Sequence, residues 1–210
     1  MDSSFTIISS SKKFQFLLED YLTAYFDFLW NPEKQNLELV LPIIGSNYFL
    51  EQKTMIVFEQ VDYGFHFSED DFQEKFKTLF TSAIEYCQKN FEKIVDNELA
   101  TLPNLSESIV TSFFKINSPL LHPQYQTDCH FESQMENAVL ILKEEIKIFN
   151  PQKVILIGKF DFMESVFNNL FFEQHPTMPF KTSVFNGSTL YWATSKSTKI
   201  NLDEIYFGLR

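Results

Sequence analysis

Hydrophobic side chains recur in steps of three and four over three long stretches of the chain, residues 12–30, 72–94 and 135–149. This spacing places them on one face of an α-helix. An Asn-Pro pair ends the first and the third stretch, because proline disfavours helical geometry in the residue before it. Ser68, with Asp71 three residues later, stands where a capping box would begin the second stretch. The pattern predicts three amphipathic helices.

Short apolar runs between these helices predict β-strands. Residues 54–58 and 153–157 are rich in aliphatic side chains and do not alternate with polar ones, which is typical of strands buried on both faces. A further strand is expected over residues 109–116. Residues 182–194 predict a hairpin, because Asn186-Gly187 favours the type I′ turn that joins two antiparallel strands.

The order of these elements predicts an α/β fold. A fourth helical stripe, residues 162–170, follows the strand at 153–157 and completes a strand–helix unit. Strands that alternate with helices favour a parallel sheet covered on both faces. We therefore expect a three-layer α/β/α sandwich with a short, mainly parallel central sheet. Residues 1–210 form a single domain in this interpretation, and the N-terminal helix at about 12–30 packs on it.

Charge and glycine content narrow the range of functions. The 210 residues include 28 acidic and 17 basic side chains, which give a net charge of −11. A nucleic-acid-binding protein usually carries a basic surface, so this balance argues against tight DNA binding and also fits plain solubility. Only five glycines are present, and the chain has neither a Walker-type nor a dinucleotide-binding glycine pattern. We expect no cofactor.

Cysteine and histidine spacing does not indicate a metal site. Cys87 and Cys129 form no Cys-x-x-Cys pair, and Cys87 falls on the apolar face of the second predicted helix. His122, Cys129 and His130 lie close in sequence but match no known ligand spacing. The first residues are polar and acidic, unlike a signal peptide, and no apolar run reaches the length of a membrane span. We expect a cytoplasmic protein without membrane contact.

The segment after the strand at 54–58 carries the strongest candidate chemistry. Ligands of open α/β sheets bind outside the carboxyl ends of the strands, and here that position leads into Glu59 and Asp62. The two carboxylates are either a catalytic pair or solvated loop acids. Tyr63 and Phe65 either stack on a flipped base, since every base has a π-face, or pin the loop to the core.

Two further groups of polar residues are weaker candidates. Lys196 and Lys199 lie among hydroxyl side chains, and they either hold phosphate or belong to an exposed loop. Asp62 and His66 are four residues apart and form either an acid–base pair or a chance pair.

Three segments together resemble the uracil-DNA glycosylase-like superfamily, most of all its branch of small bacterial proteins with a Gly-Gln-Glu-Thr-Asn-Gly-Trp motif. Residues 42–46 and 55–57 stand at that branch's first core strand and the segment before it. Residues 114–116 resemble the end of its second strand. Residues 141–158 resemble its long helix, proline break and third strand. By order of elements, the resemblance covers about residues 37–195.

The resemblance implies base excision, in which a nucleotide is swung out of the duplex into a pocket. A polar residue after the first strand positions water, an asparagine on the second strand reads the base, and a histidine after the last strand stabilises the departing base anion. By role, the candidate residues of this chain are catalytic Glu59 and Asp62, base-binding Tyr63, Phe65, Ser112 and Ser195, and phosphate-binding Lys196 and Lys199.

This chain departs from the family at the positions that carry the chemistry. Phe58-Glu59-Gln60 replaces Gly-Gln-Glu, so a bulky ring takes the place of a glycine and the carboxylate moves to a neighbouring position that faces the other side. Ser112 occupies the asparagine position and Ser195 the histidine position. His175-Pro176-Thr177 resembles the histidine motif but precedes the hairpin. Three altered roles together indicate that hydrolysis is lost or changed.

Three functions stand open at this point. The one we favour is a divergent uracil-DNA glycosylase-like pseudoenzyme that keeps a base- or nucleotide-sized pocket and binds DNA or a nucleotide. The second is an acidic module on the same fold that binds another protein through its surface. The third is an active DNA N-glycosylase, a hydrolase that uses Glu59 or Asp62, so the sequence leaves open whether the chain is an enzyme.

Overall fold

The computed structural model describes residues 3–28, 37–48, 53–61, 63–90, 107–117, 129–158, 172–174 and 180–193. The helices in these ranges are α1 (Ser3–Ser10), α2 (Lys12–Phe28), α3 (Glu69–Lys89) and α4 (Cys129–Phe149). The strands are β1 (Leu37–Leu39), β2 (Ile43–Ile44), β3 (Thr54–Phe58), β4 (Phe65–Phe67), β5 (Ser108–Ser112), β6 (Ile116–Asn117), β7 (Lys153–Ile157), β8 (Glu173–Gln174), β9 (Phe180–Phe185) and β10 (Ser188–Ala193).

The three long helices lie where the hydrophobic pattern predicted them. At the start of α3 the Ser68 hydroxyl accepts a hydrogen bond from the Asp71 backbone N–H (3.2 Å), and the Asp71 carboxylate accepts one from the Ser68 N–H (2.7 Å). This reciprocal pair is the predicted capping box. The fourth predicted helix, residues 162–170, lies outside the described residues.

The larger sheet in the described part of the chain is mixed. Its strand order is β2-β5-β3-β7-β10-β9-β8. The neighbours from β5 to β10 run parallel, whereas β2, β9 and β8 pair antiparallel to their neighbours. The expectation of a mainly parallel sheet therefore holds for the centre alone. At one edge the hairpin makes the pairing antiparallel, because a two-residue turn can join only antiparallel strands. Asn186 and Gly187 have the positive φ angles (52° and 82°) of the predicted turn.

The strand expected over residues 109–116 is two strands. β5 ends at Ser112 and β6 begins at Ile116, and a turn at residues 113–115 separates them. Lys115 closes this turn by donating a hydrogen bond to the Ser112 carbonyl oxygen (2.6 Å). β6 then pairs with β1 in a second, antiparallel sheet of order β4-β1-β6.

Alternate residues of the central strands face opposite sides of the sheet, as the strand period requires. Met55 and Val57 pack in a large hydrophobic cluster with side chains of α2, α3 and α4. Ile56 packs in a second cluster with Val110 and Tyr63. Helices thus cover one face within the described ranges, and the second helical layer of a sandwich stays a prediction.

Candidate functional site

Three parallel strands end side by side at the edge where the sequence analysis placed the site. Phe58 of β3 is the register partner of Ser112 of β5 and of Ile157 of β7. β3 and β7 therefore run in the same direction, as expected at the centre of a parallel sheet. The segment that begins at Glu59 leaves the sheet between two neighbouring strand ends, which is where ligands of α/β sheets bind.

The backbone of Glu59 is held from both neighbouring strands. Its N–H donates to the Ile157 carbonyl oxygen (3.0 Å), and its carbonyl oxygen accepts from the Ser112 hydroxyl (3.2 Å) and the Phe114 N–H (3.3 Å). The Phe113 N–H donates to the Phe58 carbonyl oxygen (2.7 Å). The Glu59 side chain is half-buried. These bonds fix the position from which the candidate carboxylate projects.

The far end of the segment is fixed as well. Asn117 donates hydrogen bonds to the Tyr63 carbonyl oxygen (3.2 Å) and to the Glu38 carboxylate (3.0 Å). Gly64 lies so close to β1 that an added Cβ would stand 2.7 Å from the Glu38 Cβ, which leaves no room for a side chain there. Glu59 and Tyr63 are thus both fixed in position, and Asp62 lies outside the described residues.

The two aromatic candidates pack inward. Tyr63 is 4% exposed, and its hydroxyl donates to the Val110 carbonyl oxygen (3.3 Å). Burial raises the pKa of this phenol well above its ordinary value. Phe65 is half-buried and packs edge-on against Tyr86, with 5.8 Å between ring centroids. Both arrangements are those expected of rings that fix the loop to the core, and a base-stacking role for either ring stays a prediction.

The remaining predicted site residues are only partly described. Ser112 is buried, and its hydroxyl holds the Glu59 carbonyl oxygen, so its contact with a base stays a prediction. Ser195, Lys196 and Lys199 lie outside the described residues. His66, considered above as a partner of Asp62, stands 3.2 Å from a carboxylate oxygen of Glu38.

Sequence reasoning missed a buried ion pair beside these strand ends. The Lys115 ammonium lies 2.6 Å from the Glu145 carboxylate, and both side chains are 0% exposed. Burial lowers the pKa of Lys115 and raises the pKa of Glu145, and in each case the partner's charge opposes the shift. The sequence does indicate that Glu145 is buried, because it stands three residues after Leu142 and four before Phe149, within the apolar stripe of α4.

An open groove lies between α2 and the first half of α3, away from the strand ends. It has a volume of about 580 Å³ and is lined by Lys12, Gln15, Phe16, Glu19 and residues 72–78. Phe16 is 61% exposed. Beside the groove α3 is interrupted at Lys75, whose φ of −157° and ψ of 72° are not helical. Nothing in the described ranges shows what would cover this surface.

The expectations about metal ligands and membrane contact remain. No three His, Cys, Asp or Glu side chains in these ranges come together as a metal site, although the side chains of Cys129 and His130 are not among those described. No described helix is long and apolar enough to cross a membrane. Comparisons with protein-family models, curated proteins and solved structures gave no match to this chain.

Proposed function

We propose that the protein binds a nucleobase or nucleotide, presented by DNA, outside the carboxyl ends of β5, β3 and β7. The observation that carries this proposal is the in-register parallel ending of these three strands around the Glu59 backbone. A ligand placed there meets a carboxylate held on a fixed backbone. We also propose that the chain is a divergent relative of the uracil-DNA glycosylase-like superfamily. Its fold in this proposal is a three-layer sandwich, with residues 162–170 as part of the second helical layer.

In this proposal Glu59 accepts a hydrogen bond from an N–H group of the base, as carboxylates do when they read base edges. The Ser112 hydroxyl supports Glu59 by donating a hydrogen bond to the Glu59 carbonyl oxygen (3.2 Å). Asp62, Ser195, Lys196 and Lys199 would complete the site, the two lysines as phosphate contacts. Because the chain lacks the family's glycine, asparagine and histidine, hydrolysis of the glycosidic bond is lost or altered.

The test uses a fluorescent single-stranded DNA oligonucleotide that contains one uracil, with anisotropy as the readout. If Glu59 accepts a hydrogen bond from the base, Glu59→Gln weakens binding by about tenfold, because the neutral amide oxygen is a weaker acceptor than the carboxylate. If Glu59 is only a surface acid, the same change tightens binding, because it removes one charge that repels phosphate. Tighter binding, or no binding by the wild type, would overturn the proposal.

A matched control separates the charge from the position. Glu85 is exposed on α3, so Glu85→Gln makes the same change in charge on the surface of a helix and not at the end of β3. We expect this variant to bind the oligonucleotide as the wild type does or slightly more tightly. Incubated DNA is also examined for abasic sites. Their formation by the wild type, and its loss in Glu59→Gln or Asp62→Asn, would instead establish an active glycosylase.

A further inference from the structure

The ion pair between Lys115 and Glu145 is completely enclosed, and every N–H donor of the lysine ammonium has an acceptor. Besides Glu145 at 2.6 Å, the Lys115 ammonium donates to the Thr111 hydroxyl (2.8 Å) and to the Ser112 carbonyl oxygen (2.6 Å). A lysine ammonium has three N–H donors, and each has an acceptor here. The Lys115 backbone N–H donates to the Tyr21 hydroxyl (3.2 Å), so the residue is fixed at both its main chain and its side chain.

Stability alone does not account for this arrangement. Removing two charges from water has a large cost, and apolar side chains of similar volume are often at least as stabilising as a buried ion pair. The better-attested effect of a buried polar group is that it selects one conformation of the surrounding chain. The conformation at issue here is the turn at residues 113–115, because Lys115 bonds back to the end of β5 within that turn.

The turn at residues 113–115 also determines where the backbone leaves β3. Phe113 and Phe114 donate their N–H groups to the carbonyl oxygens of Phe58 and Glu59 (2.7 and 3.3 Å). These bonds continue the pairing of β5 with β3 beyond Ser112, the last register partner. A continuous chain of contacts therefore runs from Glu145 on α4, through Lys115 and Ser112, to the Glu59 backbone.

We propose that Lys115 and Glu145 are positioning residues, which lock the turn at 113–115 so that its donors hold Glu59 in place at the strand ends. The effect on ligand binding rests on the proposed function, whereas the locking of the turn rests on the contacts alone. Both side chains are 0% exposed, so in this proposal they act through the turn and not by contact with a ligand.

The first test replaces the whole polar cluster with apolar side chains of similar volume, in the variant Thr111→Val/Lys115→Met/Glu145→Leu. Hydrogen exchange of the Phe113 and Phe114 amides and binding of the uracil oligonucleotide are measured beside thermal unfolding. We expect a folded protein whose two amides exchange about tenfold faster and whose binding is weakened about as much as by Glu59→Gln. A folded variant with unchanged exchange would overturn the inference.

The second test applies if the triple variant fails to fold, and it removes only the contact between Ser112 and Glu59. Ser112→Ala removes the hydroxyl that donates to the Glu59 carbonyl oxygen. Ser108→Ala is the matched control, because Ser108 is equally buried at the other end of β5. We expect Ser112→Ala to weaken oligonucleotide binding by about fivefold, the value of one hydrogen bond, and Ser108→Ala to leave it unchanged. Equal binding by the two variants would overturn the inference.

The two proposals fail in different ways. If the wild type does not bind the oligonucleotide, the proposed function is wrong, whereas the exchange rates of Phe113 and Phe114 still decide whether the ion pair positions the turn. If the wild type binds and the exchange rates do not respond, the function stands and the positioning role is wrong.

Discussion

Two consecutive residues of α4, Glu144 and Glu145, each pair with a lysine, but in opposite surroundings. Glu145 lies 2.6 Å from Lys115 in a site where both side chains are 0% exposed. Glu144 lies 3.0 Å from Lys13 and 3.8 Å from Lys147; its own side chain is 13% exposed, but those of the two lysines are 61% and 46% exposed. Water and salt screen the outer pair, whereas the inner pair has exchanged its hydration for protein hydrogen bonds. Removing one partner is therefore expected to destabilise the fold far more at the inner pair than at the outer pair.

The largest expected effect follows from breaking the inner pair on one side. Glu145→Gln leaves Lys115 enclosed without a counter-charge, and Lys115→Met does the same to Glu145. We expect either variant to lose about 3–5 kcal/mol of unfolding free energy, as when one partner of a buried pair is removed. Urea denaturation measures the loss. A loss below about 1 kcal/mol would show that the inner pair is exposed to water and behaves like the outer one.

An intermediate effect is expected at Asp71, an exposed carboxylate bonded to the hydroxyl and the backbone N–H of Ser68 instead of to a lysine. Ser68→Ala removes the helix N-cap and should cost about 1 kcal/mol in urea denaturation. Hydrogen bonds from the Ser68 hydroxyl and then its backbone N–H lower the pKa of Asp71 below the ordinary 3.8. Its contribution is therefore fully present above pH 3.8 and is lost as the pH falls through the pKa of the folded protein.

The pH dependence at Asp71 is measured by comparing the wild type with Asp71→Asn. The difference between their unfolding free energies should be constant from about pH 5 to 7 and should shrink in more acidic solution. A difference that grew as the pH fell would contradict the direction of the pKa shift. The predicted result would show that an exposed carboxylate stabilises the fold when the hydroxyl and the backbone N–H of a helix N-cap bind it.

The smallest effect is expected for the outer pair. Glu144→Gln should change the unfolding free energy by about 0.5 kcal/mol or less, and added salt should reduce even this difference. Urea denaturation in low and high salt provides the measurement. A salt-independent loss as large as that of Glu145→Gln would remove the contrast between the two positions.

The parts of the fold that were predictable are those with a local signal. Ser68 with Asp71 marked the start of α3, Asn186-Gly187 marked the hairpin, and apolar runs marked β3 and β7. Their parallel pairing followed from the intervening helices. The small sheet was not predictable, because β1, β4 and β6 are two or three residues long and show no period. The ion pair joins residues 30 positions apart, and only contact in the folded chain brings them together.

Hydrogen exchange of the wild type with and without the uracil oligonucleotide locates the bound ligand on the chain. We predict slower exchange at residues 58–61 and 112–115, where β3 and β5 end, and no change along α2 and the first half of α3. Protection confined to the α2–α3 groove, or no protection anywhere, would contradict this prediction.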